Sequence, residues 1–174
     1  MMMSCLAAGG MDTVKSEIRD QFGKHHSDSH YQVNASGLYE PDVREMRDPT
    51  WPRQYDEKAI KVVVPFLPNL TVHQYRVIFM RRDLEEVRQS FEAAFGGKMK
   101  LAELEQQVHL ALERLSNRKD TELVQVQYSD VLTAPLQEFR KLRDYGWPID
   151  PVAAAALVDP SQYRFRRELL EVGI

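Results

Sequence analysis

Short apolar runs alternate along the chain with longer stretches of helical spacing. Three such runs predict β-strands, at Ile60–Val64, Val77–Met80 and Leu123–Val126. Runs of this length are typical of strands that are buried on both faces. Apolar positions three and four residues apart predict helices at Leu84–Phe95, Leu101–Leu115 and Val131–Tyr145. This alternation predicts an α/β fold, with a three-layer arrangement of a parallel sheet between helices on both faces.

Turn and capping residues predict the ends of several helices. Met1–Ala8 is expected to form a helix that stops at Gly9-Gly10. Ser129 or Asp130 is the expected N-cap of the helix after the third strand, and that helix is expected to tolerate Pro135 in its first turns. A last short helix is expected to begin at Asp150-Pro151 and to continue through Leu157.

The remaining segments are rich in turn-forming residues. Pro41–Arg47 is predicted to form a short helix with proline in its first turn. Loops or connectors are expected at Lys24–Ser36, Asp48–Arg53 and Leu67–His73. His26 and His30 have a spacing that zinc sites use on helices, but their neighbours are turn formers, so a solvated loop and no metal are expected.

Length and composition predict one soluble domain over residues 1–174. The chain is 43% hydrophobic and 28% charged, which is ordinary for a globular protein. Its formal net charge of -3 gives no reason to expect a nucleic-acid partner. Cys5 is the single cysteine, so an intrachain disulfide is impossible and a cytoplasmic location is expected. No apolar stretch approaches the roughly 20 residues of a membrane helix, so no membrane association is expected.

Two arginines follow the second predicted strand and precede a helix. Arg82 and Ser90 have the spacing R-x7-S, and a guanidinium at a strand end can grip a phosphate with two hydrogen bonds. Ligands of open α/β proteins bind at such carboxyl ends of strands. The alternative is a surface cluster in which Arg81 and Arg82 pair with the nearby carboxylates of Asp83, Glu85 or Glu86.

Two further segments contain candidate site residues. Glu40 follows Gly37-Leu38-Tyr39 and is a candidate general base, with an exposed glutamate as the alternative. The C-terminal tail contains Arg164, Arg166 and Arg167, which are candidates for a clamp over the same anion. A solvated basic tail is the alternative for that segment.

Several segments resemble one protein family, in the same order along the chain. YRVIFMRRDLEEVRQSF is similar to the 3′-phosphate-binding segment of PAPS-dependent sulfotransferases, and Arg82 and Ser90 fall on its R-x7-S positions. LVQVQYSDVLTAPLQEFRKL resembles a later strand-to-helix segment of that family, with Tyr128 among the matching positions. GLYEPDVREM, KAIKVVVPFLP and DPSQYRFR resemble further segments, some of them from a bacterial branch of the family.

The resemblance has two departures. Family members begin with a strand and a phosphosulfate-binding loop of the type P-R-S-G-T, whereas Met1–Gly10 resembles the helix that follows that loop. The domain is therefore expected to be N-terminally truncated relative to the P-loop NTPase-like sulfotransferase fold, with doubtful activity in this form. The catalytic histidine of the family's T-H-L-P segment has no counterpart, because Val62–Pro65 reads V-V-V-P.

The resemblance implies transfer of a sulfuryl group from PAPS to a hydroxyl or amine of an unknown acceptor, without a metal. It implies that Arg82, Ser90 and Arg166 bind the donor and that Glu40 acts as the base. The alternative is a non-catalytic interaction protein on the same scaffold, with its sheet edges covered by a partner or by a second copy in a homo-oligomer. A P-loop kinase relative is a weaker alternative, because no Walker motif is present.

Overall fold

A pair of parallel strands connects the main helices of the fold. The computed structural model describes residues 1–14 and 45–162. Strands β1 (Tyr75–Arg81) and β2 (Thr121–Gln127) form a two-stranded parallel sheet in register, from Tyr75 opposite Thr121 to Arg81 opposite Gln127. The mixed α/β character and the two strands at Val77–Met80 and Leu123–Val126 confirm the predictions from the sequence.

Six α-helices lie within the described residues. They are α1 (Met2–Ala8), α2 (Leu84–Phe95), α3 (Leu101–Ser116), α4 (Tyr128–Thr133), α5 (Pro135–Asp144) and α6 (Pro151–Ala156). Short 3₁₀ helices cover Glu45–Arg47, Trp51–Tyr55, Val64–Asn69 and Pro160–Gln162. None of the helices in this part of the chain combines the length and the apolar character that are needed to cross a membrane.

One face of the strand pair packs on a core that the terminal helices provide. Ile78 and Met80 of β1 and Val124 and Val126 of β2 belong to this core because alternate residues of a strand share a face. The buried side chains packed with them come from α1, α4, α5 and α6, namely Cys5, Leu6, Val131, Phe139, Leu142 and Ala154. The two ends of the described chain therefore close over the same face of the sheet.

The opposite face of the strand pair packs on a second core. Val77, Phe79 and Leu123 point to this side, where they meet Ala111 and Leu115 of α3. Leu67, from the 3₁₀ helix before β1, completes the buried set. Both faces of β1 and β2 are thus covered by apolar side chains, as parallel strands require.

The predicted strand at Ile60–Val64 is wrong. Ala59 makes an isolated parallel bridge with Thr13, and Val64 already begins a 3₁₀ helix that continues to Asn69. Val62 and Val64 instead pack beside the second core. An apolar β-branched run indicates that its side chains are buried. Here they are partly buried by side-chain packing, without strand pairing.

The single helix predicted over Val131–Tyr145 is two helices. It breaks at Ala134, whose φ of -138° and ψ of 54° are not helical, and Pro135 then begins α5. The proline ring disfavours the α conformation of the residue before it, which explains the break. The expected cap at Ser129 or Asp130 is also wrong, because α4 already begins at Tyr128 with Gln127 as its N-cap.

Other predicted helix ends agree closely with the structure. The expected helices at Leu84–Phe95 and Leu101–Leu115 are confirmed, the second with one more residue, and α1 stops at Gly9. Asp150 caps α6 as its position predicted, since its carboxylate accepts hydrogen bonds from the N–H groups of Val152 and Ala153.

Three predicted loops and one predicted short helix differ from the structure or lie outside it, wholly or in part. Helical turns replace parts of the loops expected at Asp48–Arg53 and Leu67–His73. The loop at Lys24–Ser36 lies outside the described residues. Of the helix predicted at Pro41–Arg47, the described part is the 3₁₀ turn Glu45–Arg47.

Candidate functional site

The residues that follow the two strands meet at the carboxyl end of the sheet. Arg82 comes directly after β1 and Tyr128 directly after β2, and the parallel register brings Arg81 opposite Gln127 one residue earlier. The guanidinium carbon of Arg82 lies 5.0 Å from the centre of the Tyr128 ring. This distance is within the range of a cation–π contact. Arg82, Glu86, Ser90 and Tyr128 are called the strand-end site below.

Glu86 fixes the guanidinium of Arg82 from the side of α2. The Arg82 Nε–H donates a hydrogen bond of 3.0 Å to Glu86 Oε2. The side chain of Glu86 is only 4% exposed and that of Arg82 is 22% exposed. A buried carboxylate requires hydrogen bonds and a compensating charge, and Arg82 supplies both.

The start of α2 places Glu86 in this position. Asp83 is the N-cap, and its carboxylate accepts hydrogen bonds from the N–H groups of Glu85 (2.9 Å) and Glu86 (3.2 Å). The cap fixes the first turn, so that the side chain of Glu86 turns back towards Arg82 at i,i+4 spacing. Asp83 thus occupies two of the amide donors at the start of α2 that could otherwise bind an anion.

Ser90 lies on α2, one turn after Glu86. Residues four apart share a helix face, so Ser90 and Glu86 lie on the same face of α2. Ser90 is partly buried. Arg81 has a different environment, because its Nη1 donates a hydrogen bond of 3.1 Å to Gln125 Oε1 on the neighbouring strand. The structure thus places Arg82 and Ser90 beside Glu86, whereas Arg81 points along the sheet.

The remaining acidic residues of α2 surround another arginine. Arg88 donates hydrogen bonds to Glu85 (2.8 Å) and to Glu92 (2.8 Å). The hydrogen bonds with Glu85, and more weakly those with Glu92, raise the pKa of the Arg88 guanidinium above its usual value.

The alternative in which Arg82 pairs with a nearby carboxylate is confirmed for Glu86. The carboxylate of Glu86 is buried, however, so this ion pair does not belong to a surface cluster.

Four of the predicted site residues lie outside the described residues 1–14 and 45–162. They are Glu40, the candidate base, and the candidate clamp residues Arg164, Arg166 and Arg167, and their roles stay predictions. Within those ranges no group of three or more His, Cys, Asp or Glu side chains is arranged to hold a metal ion.

Two features of the strand-end site were missed from the sequence. Tyr128 was noted as a motif position, but its contact with Arg82 was not expected. The signal was available, since both residues occupy the second position after a predicted parallel strand. The i,i+4 spacing of Arg82 and Glu86 indicated a pair, but nothing in the sequence indicated that Glu86 is buried.

An open cavity lies at the junction of α4 and α5. It measures about 460 Å³ and is lined by Ala134, Pro135, Leu136, Gln137 and Arg140. Among these lining residues Arg140 is the ionisable one, so the cavity contains no acid–base pair. The strand-end site is therefore the stronger candidate for chemistry in the described part of the chain.

Comparison of the chain with protein-family models, with curated proteins and with solved structures finds no match. The residues of the strand-end site and the motif resemblance are therefore the basis for assigning a function.

Proposed function

We propose that the chain is a sulfotransferase-type domain whose strand-end site binds the 3′-phosphate of PAPS. One observation carries the proposal: the two segments that most resemble the family form adjacent parallel strands, and their motif residues Arg82 and Tyr128 are in contact. Segments 46 residues apart in sequence need not meet in space. Their meeting at the carboxyl end of a parallel sheet, where α/β proteins bind ligands, supports a shared binding role.

The proposed fold is the three-layer sulfotransferase arrangement. The two apolar cores on opposite faces of β1 and β2 support it. In this arrangement the strand-end site lies between the layers, and a ligand bound there approaches both the β1–α2 and the β2–α4 junctions.

In the proposed reaction the acceptor hydroxyl or amine attacks the sulfur of PAPS. A new bond forms between the acceptor atom and sulfur, the bond from sulfur to the 5′-phosphate oxygen breaks, and adenosine 3′,5′-bisphosphate leaves. Arg82 and Ser90 hold the 3′-phosphate, a charge-assisted contact of the kind that guanidinium forms best. In this proposal Glu40 is the base that takes the acceptor proton, and Arg166 is a clamp on the donor. Both roles depend on the resemblance alone.

Calorimetric titration with adenosine 3′,5′-bisphosphate tests the proposal. Binding is expected, and Arg82→Ala should weaken it by about 10- to 100-fold, since a hydrogen bond to a charged group contributes about 1.5–3 kcal/mol. Adenosine 5′-phosphate, which lacks the 3′-phosphate, should bind more weakly and should be insensitive to Arg82→Ala.

Arg143→Ala is the matched control for the charge change. Arg143 lies near the end of α5, close to Gly146, whose carbonyl accepts a hydrogen bond from Arg76 near the start of β1. It is thus at the opposite end of the strands from Arg82, and its removal should leave affinity unchanged. An absence of binding to the wild-type chain, or equal affinities for wild type and Arg82→Ala, would overturn the proposal.

A non-catalytic interaction protein on the same scaffold is the second candidate. The observation that favours it is the ion pair itself, since Arg82 and the buried Glu86 stabilise each other without a ligand. In this case Arg82→Ala should lower the melting temperature but change no nucleotide affinity. If a second copy of the chain covers the sheet edges, light scattering should then give the mass of a dimer or larger assembly, and a monomer at all concentrations would contradict this candidate.

A further inference from the structure

We propose that Glu86 is a positioning residue that holds the Arg82 guanidinium in the orientation for anion binding. The inference rests on the proposed function of Arg82 as a ligand of the 3′-phosphate. It adds a residue that the motif resemblance does not assign and a physical reason why a carboxylate lies beside an anion site.

The contact between the two side chains includes a hydrogen bond from one specific donor. Arg82 donates from Nε, at 3.0 Å from Glu86 Oε2. Of the five N–H groups of a guanidinium, one is on Nε and four are on the two terminal nitrogens. A phosphate held in a bidentate manner by the terminal nitrogens therefore does not need the donor that Glu86 uses.

Tyr128 restricts the same guanidinium in a second direction. Its ring centre lies 5.0 Å from Arg82 Cζ. The guanidinium is therefore restrained by Glu86 at Nε and by the Tyr128 ring through a cation–π contact. An arginine that is 22% exposed and restrained twice loses little further freedom when it binds an anion. The pair is thus arranged to reduce the ordering cost of ligand binding.

Glu86 also has an opposing effect, because its negative charge repels a phosphate. The two effects can be separated by variants that differ in one property. Glu86→Gln keeps an oxygen that accepts from Nε and removes the charge. Glu86→Met removes both the acceptor and the charge and fills the buried volume. If positioning dominates, Glu86→Met should weaken anion binding and Glu86→Gln should preserve it. If repulsion dominates, both variants should tighten binding.

The first measurement is made on the ligand-free protein. In a nitrogen-15 NMR spectrum, the Nε–H signal of Arg82, assigned by its loss in Arg82→Lys, should be resolved and slowly exchanging in the wild type. It should persist in Glu86→Gln and should broaden or disappear in Glu86→Met. An equally protected signal in Glu86→Met, or its loss in Glu86→Gln, would overturn the positioning role.

The second measurement is titration with adenosine 3′,5′-bisphosphate. Glu86→Met should weaken binding about tenfold, as expected for the loss of one charge-assisted hydrogen bond that orders the ligand-binding group. Glu86→Gln should stay within about threefold of the wild type or bind more tightly. Tighter binding by Glu86→Met would overturn the proposal and identify Glu86 as a competitor of the anion.

The two measurements separate this inference from the proposed function. If the Nε–H signals follow the expected pattern but the wild type binds no nucleotide, Glu86 orients the guanidinium but the proposed function fails. If the wild type binds the nucleotide but the signals do not follow the pattern, only the role of Glu86 fails. Glu103→Gln, an exposed acidic residue on α3 that pairs with Lys100, is the charge-matched control and should change neither measurement. Should Glu86→Met fail to fold, Glu86→Gln alone still tests the proposal. Loss of the Arg82 Nε–H signal in Glu86→Gln, or an affinity more than threefold weaker than that of the wild type, would contradict it.

Discussion

Arg118 and Asp120 are joined by two parallel hydrogen bonds just before β2. Arg118 Nε lies 2.9 Å from Asp120 Oδ1, and Arg118 Nη2 lies 2.7 Å from Asp120 Oδ2. The same guanidinium donates to the carbonyl oxygens of Leu70 (2.8 Å) and Thr71 (2.7 Å), and it lies 5.2 Å from the Tyr75 ring. It therefore ties the approach to β1 to the start of β2, at the end of the sheet opposite the strand-end site.

Because of this pair, the free energy of unfolding is expected to decrease at acid pH. The hydrogen bonds that Arg118 donates are the main reason why the pKa of Asp120 lies below its usual value of 3.8. A carboxylate with a lower pKa in the folded state stabilises the fold above its unfolded pKa, and this stabilisation is lost as the pH falls through the folded value. Asp120→Asn should thus cost about 2 kcal/mol of unfolding free energy at pH 7. This cost should begin to decrease as the pH falls below 3.8 and should be lost once the pH has fallen through the lower pKa of Asp120 in the folded state.

Urea unfolding of wild type and Asp120→Asn at a series of pH values measures this difference. Asp144→Asn is a suitable control, since its carboxylate is 68% exposed and pairs with the adjacent Arg143 at the surface. The control should differ little from wild type at any pH. A cost of Asp120→Asn that stays constant down to the most acid condition would contradict the linkage.

The core between the sheet and α5 depends on one aromatic side chain. Phe139 is fully buried in the cluster that also contains Val126, Val131 and Leu142. Phe139→Ala should lower the free energy of unfolding by about 3–5 kcal/mol, because it removes apolar contacts and leaves a cavity. Urea unfolding provides the measurement.

Val152→Ala is the control for that substitution. Val152 is 64% exposed on α6, and its truncation should change stability by less than about 0.5 kcal/mol. Equal effects of the two substitutions would mean that α5 does not pack on the sheet as described.

A close approach between α1 and α6 requires a residue without a side chain at position 9. The amide of Asp150 donates a hydrogen bond of 2.8 Å to the carbonyl oxygen of Gly9. A Cβ at Gly9 would lie 3.1 Å from Ile149 Cβ and 3.2 Å from the Asp150 oxygen. Gly9→Ala should therefore destabilise the protein by about 1–3 kcal/mol through overpacking, although the φ of -72° suits any residue.

Thermal unfolding of Gly9→Ala and Gly97→Ala compares a tight glycine with an open one. A Cβ at Gly97 would meet its nearest neighbour, Phe91 Cε1, at 3.7 Å, which is an ordinary contact. Gly97→Ala should leave the melting temperature close to that of the wild type. A melting temperature of Gly9→Ala equal to that of Gly97→Ala would rule out the close α1–α6 approach.

Elements were predictable where the local pattern and the tertiary environment agree. The apolar runs inside β1 and β2 are paired and buried, so pattern and structure coincide there. Residues 60–64 have the same pattern but obtain their burial from packing on the second core, and a sequence pattern cannot distinguish packing from pairing. The break at Ala134 was predictable in principle, since Pro135 restricts the residue before it.

The strand-end site was predictable in position but not in detail. The R-x7-S spacing and the strand–helix junction located Arg82 correctly at the end of β1. The burial of Glu86 depends on how α2 packs, and the contact with Tyr128 depends on the parallel pairing of strands 46 positions apart in register. Such long-range relations leave no local signal in one sequence.

The ring of Tyr128 is expected to contribute to ligand binding through its contact with Arg82, because Arg82 Cζ lies 5.0 Å from the ring centre. Tyr128→Phe keeps the ring and should retain affinity for adenosine 3′,5′-bisphosphate, whereas Tyr128→Leu should weaken it about fivefold, the equivalent of about 1 kcal/mol of cation–π energy. Calorimetry measures both, with Tyr145→Leu as a control because Tyr145 is 66% exposed after α5. Equal losses in Tyr128→Phe and Tyr128→Leu would assign the contribution to the hydroxyl group, and no loss in either would show that the Tyr128 ring does not contribute to binding.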